Sequence, residues 1–523
     1  MNFELPQQEF PELIFGLIAP IGVDLGLVSD KLEDELSTMG YKSELLKLTD
    51  LMKEIPSEVS IDTSSHVSAY NGKIEYANDL RSRYGDDVMS VLAISAIRSL
   101  RQEIHKTASV NVSPEINLAE TPVQRQAYII RQLKRPEEVN LLRSVYGRQF
   151  ILISAYAPPK SRLRNIESKQ RESLGGLTPE QEVHSEAYSI IQKDEREIES
   201  AHGQNVNDAF PLGDVFIDAT TKSTCQKTLN RFISVFFGNN QISPTRDEYG
   251  MYTAKSASLR SSDLSRQVGA AIFSEYTEVQ TLGCNEVPKA GGGTYWEEYK
   301  PDARDFTFGQ DPNDRIKKEI IVDIIDRLRV NGDLSDALLK EKASTDILQK
   351  LLENETLTGI SESKVMDLIE FGRIIHAEMC AITDAARKGI SLRGSKMYVT
   401  TFPCHLCAKH IVGAGIKEVV FIEPYPKSYA KELHSDSIDL DEEDPTNKVK
   451  FRPFTGISPY RYRDLFEKGK RKKSGKAQEW HMGDKRPMIR VYFPAYFEAE
   501  VLLVSALSQK LKQHSSADVT DKK

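Results

Sequence analysis

The sequence predicts an α/β protein of two domains, each a sheet flanked by helices. Three observations predict it. A chain of 523 residues exceeds what one hydrophobic core supports. Short apolar runs alternate with segments of helical periodicity from Glu12 to Phe237. A second alternation begins at Val268, after FGNNQISPTRDE (Phe237 to Glu248) gathers Gly, Asn, Pro and charge in one linker. The expected boundaries are 1–240 for the first domain and 250–505 for the second, with a polar insertion at 289–365. Residues 506–523, ending in KQHSSADVTDKK, are expected to be a disordered tail.

Each element has its own reason. Glu12 to Ala19 is a continuous apolar run, the pattern of a strand buried on both faces. From Asp24 to Met39 the apolar positions Leu25, Val28, Leu32 and Leu36 recur at helical spacing, and Gly40 stops the helix. Strand-like runs recur at QAYIIRQL from Gln126, QFILISAY from Gln149 and GDVFID from Gly213, separated by helical stretches at Pro136 to Tyr146 and Lys222 to Phe237. This alternation predicts a parallel sheet covered on both faces. The polar segment from Pro158 to Asn207 reads as a helical excursion or a plain solvated helix pair. In the second half, VGAAIF (Val268 to Phe273) and VQTLGC (Val279 to Cys284) form a hairpin pair. They are followed by helix (His376 to Lys388), strand (Lys396 to Thr401), helix (Cys404 to Ala414) and strand (Glu418 to Glu423). Two further apolar runs lie at VKFRPF and EAEVLLVSAL.

Composition bounds the function. A hydrophobic share of 39% with 28% charged residues is that of an ordinary globular protein. A net charge of -8 gives no general pull toward polyanions. The longest apolar run, Leu13 to Val23, is too short for a bilayer and lacks a basic leader, so neither a membrane segment nor a signal peptide is expected. Five cysteines, odd in number and sparse, suit a reducing compartment, and the cytoplasm is the expected location.

Two of those cysteines, Cys404 and Cys407 in PCHLC, sit on the first turn of a helix, where exposed amides and the helix dipole favour thiolates. They form a soft chelate for Zn²⁺, and His376, at the start of its own helix, is the candidate third ligand. Three ligands leave the fourth position open to water, whose pKa falls toward roughly 7 on such a metal. Glu378, two residues past His376, then has a task as the carboxylate that takes and returns the proton. The pattern H-x-E followed by P-C-x-x-C is the signature of zinc nucleobase deaminases. The bland alternative, a structural zinc, wants a fourth ligand and leaves Glu378 idle. His405 and His410 compete as ligands on paper, whereas Cys380 and Cys284 read as buried small hydrophobes.

These residues resemble the deoxycytidylate deaminase family, and the likeness extends to RSSDLSRQVGAAIF (Arg260 to Phe273) and to the turn GCNEVP (Gly283 to Pro288). By that resemblance Asn285 would hydrogen-bond the sugar hydroxyl of a nucleotide. Cys284 and Glu286 depart from the Tyr and Gly of the shorter enzymes. The layout of a P-loop nucleotide-kinase-like half joined to a cytidine-deaminase-like α/β/α half resembles the bacterial anti-phage dCTP deaminases. The resemblance implies hydrolysis of dCTP, and of dCMP, to the uracil nucleotide and ammonia, with Zn²⁺ as cofactor, a regulatory RNA partner and a homo-oligomer. The alternatives are a housekeeping dCMP deaminase, a polynucleotide cytidine or adenosine deaminase, and an RNA-binding scaffold with a structural zinc.

Two other stretches bear on ligands. GLIAPIGVDLG (Gly16 to Gly26) lies between strand and helix as a phosphate-cradling loop does, which makes Gly16, Gly22 and Asp24 candidate nucleotide contacts. The loop is degenerate, with Leu25 and Gly26 where a Lys and a Ser or Thr would stand. A scaffold kept for sensing or assembly is therefore expected over phosphoryl transfer. KGKRKKSGK (Lys468 to Lys476) is either a solvated loop or a contact for a triphosphate or RNA, and DLDEED (Asp439 to Asp444) reads as a surface loop.

Overall fold

The computed structural model describes residues 7–108, 117–175, 179–195, 202–353, 359–425, 427–440 and 447–520. It divides into two compact units, Met1–Glu248 with Thr455–Lys523, and Tyr249–Phe454.

The first unit is built on parallel strands β1 (Leu13–Ile18), β2 (Lys42–Lys47), β3 (Gln126–Leu133), β4 (Phe150–Tyr156) and β5 (Val215–Asp218), in the spatial order β5-β4-β1-β3-β2. Every residue of β1 is buried, as its unbroken apolar run requires of a central parallel strand. One face packs on helices Leu25–Thr38 and Lys222–Phe236 and the other on Val88–Thr107 and Pro136–Tyr146. The excursion over 158–207 is two helices, Pro159–Ser173 and Glu180–Glu195. They are not merely solvated: Ile166, Ala187 and Ile190 pack with Val67 and Ile74 of helix His66–Tyr84.

The C-terminal residues correct two expectations. Residues 455–505 belong with the first unit, because Gly456–Ile457 pairs antiparallel with β5 and Tyr496 and Phe497 enter the core beneath β1. The stretch expected to be a disordered tail is helical through Thr520 as part of Tyr496–Thr520. Leu507 is buried against the core, Leu511 packs beside it, and Lys510 donates to the carbonyl of Tyr84 at 2.6 Å. An ionic joint fastens this helix: Arg101, fully buried, is shared between Glu12 (3.0 Å) and Glu500 (2.9 Å), while Tyr146 and Tyr496 donate to the same carboxylates. The basic run ends in an exposed hairpin, Lys472–Lys473 with Lys476–Ala477. Of the acidic run, Asp439 is a buried strand residue and 441–446 lie outside the described residues.

The second unit holds β6 (Gly269–Phe273), β7 (Val279–Cys284), β8 (Lys396–Thr401), β9 (Glu418–Glu423), β10 (Ile438–Asp439) and β11 (Val449–Pro453), in the order β10-β11-β9-β8-β6-β7. The expected β6–β7 hairpin is antiparallel, and β6 also runs antiparallel to β8, whereas β8, β9, β11 and β10 are parallel. Helix Ala377–Lys388 lies on β7 so closely that a Cβ at Gly283 would stand 2.0 Å from the Ala377 carbonyl oxygen. The insertion over 289–365 has a small core of its own, Ile321 and Ile325 of helix Pro312–Asn331 against Ile347 and Leu348. No helix among the described residues is long and apolar enough to cross a membrane.

Candidate metal centre and active site

His376 is the N-cap of helix Ala377–Lys388 and Cys404 the N-cap of helix His405–Gly413, so two helix N-termini converge on one point. Their positive ends favour bound anionic groups, here thiolates. Cys404 Sγ lies 3.3 Å and Cys407 Sγ 3.5 Å from His376 Nδ1. Tetrahedral Zn²⁺ with bonds of about 2.3 Å to sulfur and about 2.1 Å to nitrogen sets such donors roughly 3.6 Å apart, so the donor set fits the ion. Among the described residues, His376, Cys404 and Cys407 are the metal-capable cluster. His405 instead approaches Glu370 (3.9 Å) and the ring of Tyr429, and His410 is exposed, so neither joins it.

The charges of this cluster are strongly perturbed. Hydrogen bonding from Cys407 lowers Cys404 to about 4, against burial and helped by His376. Cys407, the donor of that pair, is pushed well above the ordinary thiol range. The hydrogen bond to Cys404 raises His376 to about 9 against the pull of burial.

Glu378 lies in the first turn behind His376, 4% exposed. Burial, then the Cys404 charge, raises its carboxyl to about 7, opposed by His376. A carboxyl so poised both accepts and returns a proton near neutrality. His376, Glu378 and Cys404 open onto a cavity of about 380 Å³, whose wall includes Asn285, Phe402 and Tyr425.

Asn285 reaches that wall, but most of its amide is spent within the chain. Oδ1 accepts from the Val268 amide at 2.7 Å, and Nδ2 donates to Asp263 Oδ2 at 2.6 Å and to the Arg266 carbonyl. The turn 261–268 is thereby fastened to the strand end. Glu286, the departure noted in the sequence, is buried and accepts from the Ser262 amide (3.1 Å) and hydroxyl (2.7 Å). Its backbone bridges Ile375, next to His376. Cys284 and Cys380 are buried as expected, with their thiols pushed up by burial.

Sequence reasoning missed the far wall of the cavity, where Arg266, Asn313, Lys317 and Lys427 stand. Lys317 and Lys427 are engaged by Asp314 and Asp367. Arg266 has no ion-pair partner among the described residues. Asn313 and Lys317 come from the insertion, whose polar sequence carries no motif to announce them.

The N-terminal loop is closed on itself. Gly16 is a buried strand residue, and Gly22, at φ +88°, packs against the Arg162 backbone. Asp24 accepts from the amides of Gly26 (3.0 Å) and Leu27 (3.1 Å). The helix-end amides that would cradle a phosphate are thus already occupied by a carboxylate.

Comparison with known proteins accords with the second unit's geometry. Residues 244–423 match the family described as the cytidine and deoxycytidylate deaminase zinc-binding region. The chain is 54% identical over 54 residues to the deoxycytidylate deaminase of Enterobacteria phage T2, covering 10% of this chain and 29% of that protein. It is 42% identical over 77 residues to ComE operon protein 2 of Bacillus subtilis, covering 13% and 41%. With human deoxycytidylate deaminase it shares 47% over 49 residues, 9% and 26% of the two chains. The chain therefore spans well under half the length of these relatives. Among solved structures, the dCMP deaminase of cyanophage S-TIM5 aligns over 41% of this chain and 100% of its own, at 16% identity and a TM-score of 0.21. The family match and these relatives support a cytidine deaminase superfamily member, and residues 244–423 are the stretch that resembles the zinc-binding region of that family.

Proposed function

We propose that the second unit is a zinc-dependent deaminase that hydrolyses deoxycytidine nucleotides, dCMP first and dCTP as well, to the uracil nucleotide and ammonia. The observation that carries this reading is the three-donor cluster with buried Glu378 beside it, at the head of a cavity of about 380 Å³. His376, Cys404 and Cys407 would hold the ion, which supplies a Lewis acid that lets water ionise near neutral pH. Glu378 takes the proton of the attacking water, places it on the ring nitrogen beside C4, and returns a proton to the departing amino group. The C4–O bond forms, the C4–N bond breaks, and the sum is nucleotide plus water to uracil nucleotide plus ammonia. Phe402 and Tyr425 in the cavity lining offer aromatic faces that suit a planar base.

Arg266, a cation on the cavity wall, supports a phosphorylated substrate. The extension to dCTP, to anti-phage depletion of deoxycytidine nucleotides, and to a homo-oligomer under control of an RNA rests on the family resemblance. The test is product analysis of the purified zinc-loaded chain with dCMP, dCTP and cytosine-containing oligonucleotides. Glu378→Gln is expected to keep zinc and lose about a hundredfold or more in turnover. Turnover of the oligonucleotide alone, or full activity in Glu378→Gln, would reverse the reading.

A further inference from the structure

The first unit contains a second cavity, of about 310 Å³, that neither the deaminase reading nor the Gly16–Gly26 loop accounts for. It opens at the carboxyl ends of β2 and β3, where Lys47 is the last residue of β2 and Arg131 and Gln132 stand just before Leu133, the last of β3. In open α/β sheets the crevice outside the carboxyl ends of the strands is where ligands bind. Helix His66–Tyr84 forms the opposite wall through His66, Tyr70 and Lys73, and Ile74, Ala77 and Met89 give an apolar floor.

The charge of this lining is unbalanced. Two of its cations are neutralised: Arg81 by Glu138 at 2.8 Å, and Lys134 by Asp194 at 2.5 Å. Asp50 is turned toward Lys53, at 3.6 Å. Lys47, Lys73 and Arg131 have no ion-pair partner among the described residues, yet they face one space. Burial lowers the Lys73 ammonium, and the nearby Lys53 and Arg131 charges lower it further against the opposing pull of Asp50.

The backbone at this wall is also unusual. Gln132 holds φ +81°, and the register between β1 and β3 slips there, with Leu17 opposite Arg131 but Ile18 opposite Leu133. Such bulges re-aim side chains and cluster beside functional sites, and a non-glycine residue in this region is strained. The slip falls between Arg131 and Lys134, at the mouth of the cavity.

We infer that this cavity is a binding site for a phosphate dianion carried on a small molecule, with Lys47, Lys73 and Arg131 taking the phosphate and the floor of Ile74, Ala77 and Met89 taking the body of the ligand. The volume stands at the lower end of the ligand-pocket range and suits one phosphate ester rather than a polymer. The neighbouring helix end at Leu25 cannot take that role, since Asp24 fills its amides.

The experiment is calorimetric titration of the full-length zinc-loaded chain with inorganic phosphate, ribose 5-phosphate and the deoxynucleoside 5′-monophosphates of adenine, guanine and thymine, repeated on Lys73→Gln and Arg131→Gln. At least one probe is expected to bind and to weaken by about tenfold or more in each variant. Deamination at the second unit and the thermal transition should stay as in the parent, which separates this site from the substrate cavity and from misfolding. Tighter binding of an ester identifies a phosphorylated metabolite, and equal binding of inorganic phosphate identifies the free anion; both support the site. Binding unchanged in both variants, or no probe bound at millimolar concentration, overturns the proposal.

Discussion

Gly283→Ala tests whether the deaminase chemistry depends on how closely helix Ala377–Lys388 lies on β7. At this position an added Cβ would stand 2.0 Å from the Ala377 carbonyl oxygen and 2.6 Å from the Ala381 amide nitrogen, both rigid backbone of the helix carrying Glu378. Contacts below 3.0 Å force something to move, so about 1 Å must be found at the carbonyl. The strand cannot supply it easily, because Gly283 and Cys284 are paired with Ala270 and Gly269 of β6. The helix must lift, and His376 and Glu378 move with it while Cys404 and Cys407, on another helix, stay. A misplacement of about 1 Å at a catalytic group costs on the order of a hundredfold in rate. The expected result is a fall of that size in kcat/KM for dCMP, with weaker zinc retention in a chelator competition. Gly413→Ala is the control, since nothing lies within 4 Å of its added Cβ. Wild-type kcat/KM and zinc affinity in Gly283→Ala would refute the proposed coupling of strand, helix and metal.

Other outcomes follow from single contacts. Glu500→Ala leaves a buried Arg101 with one carboxylate in place of two and should cost the first unit about 3–5 kcal/mol, read as lost hydrogen-exchange protection in Val88–Thr107. If Arg266 holds the substrate phosphate as proposed, Arg266→Gln should raise KM for dCMP about tenfold while leaving kcat near its parent value. Glu418 is half-buried, which opposes ionisation, yet Arg452 and then Lys396 outweigh that desolvation and hold its carboxyl below the ordinary range. Its contribution is present above the unfolded value of about 4.3 and is lost as pH falls through the lower folded value. Acid unfolding of the second unit should therefore be shallower in Glu418→Gln, as read by near-ultraviolet circular dichroism.

The metal-capable cluster was legible because its signal is short: two thiols three positions apart at one helix start, with a histidine at the start of the helix before, make a chelating pattern. The parallel strands of the first unit were legible for a similar reason, since a strand buried on both faces must be apolar throughout. The joint between Arg101 and Glu500 was not, as the partners stand 399 positions apart and no pattern near either announces the other. The C-terminal helix did carry a signal: Leu503, Val504, Leu507 and Leu511 recur at helical spacing and all pack on the core. The polar residues after Lys512 outweighed that stripe. The cavity wall supplied by Asn313 and Lys317 stayed hidden because polar side chains on an insertion helix look alike whether they face solvent or a ligand.

The route of the chain has a consequence for how it is made. Glu248 and Ile457 are joined by a hydrogen bond of 3.0 Å, so the segment between them leaves and re-enters the first unit at one spot. A ribosome releases the strands of that unit first, but their closing strand and the partner of Arg101 emerge only after residues 249–454. The second unit can therefore complete its own core while the first still waits, apolar surface open, for the last helix to arrive. A nascent chain stalled before Tyr496 would need shelter from chaperones over the face that this helix later covers.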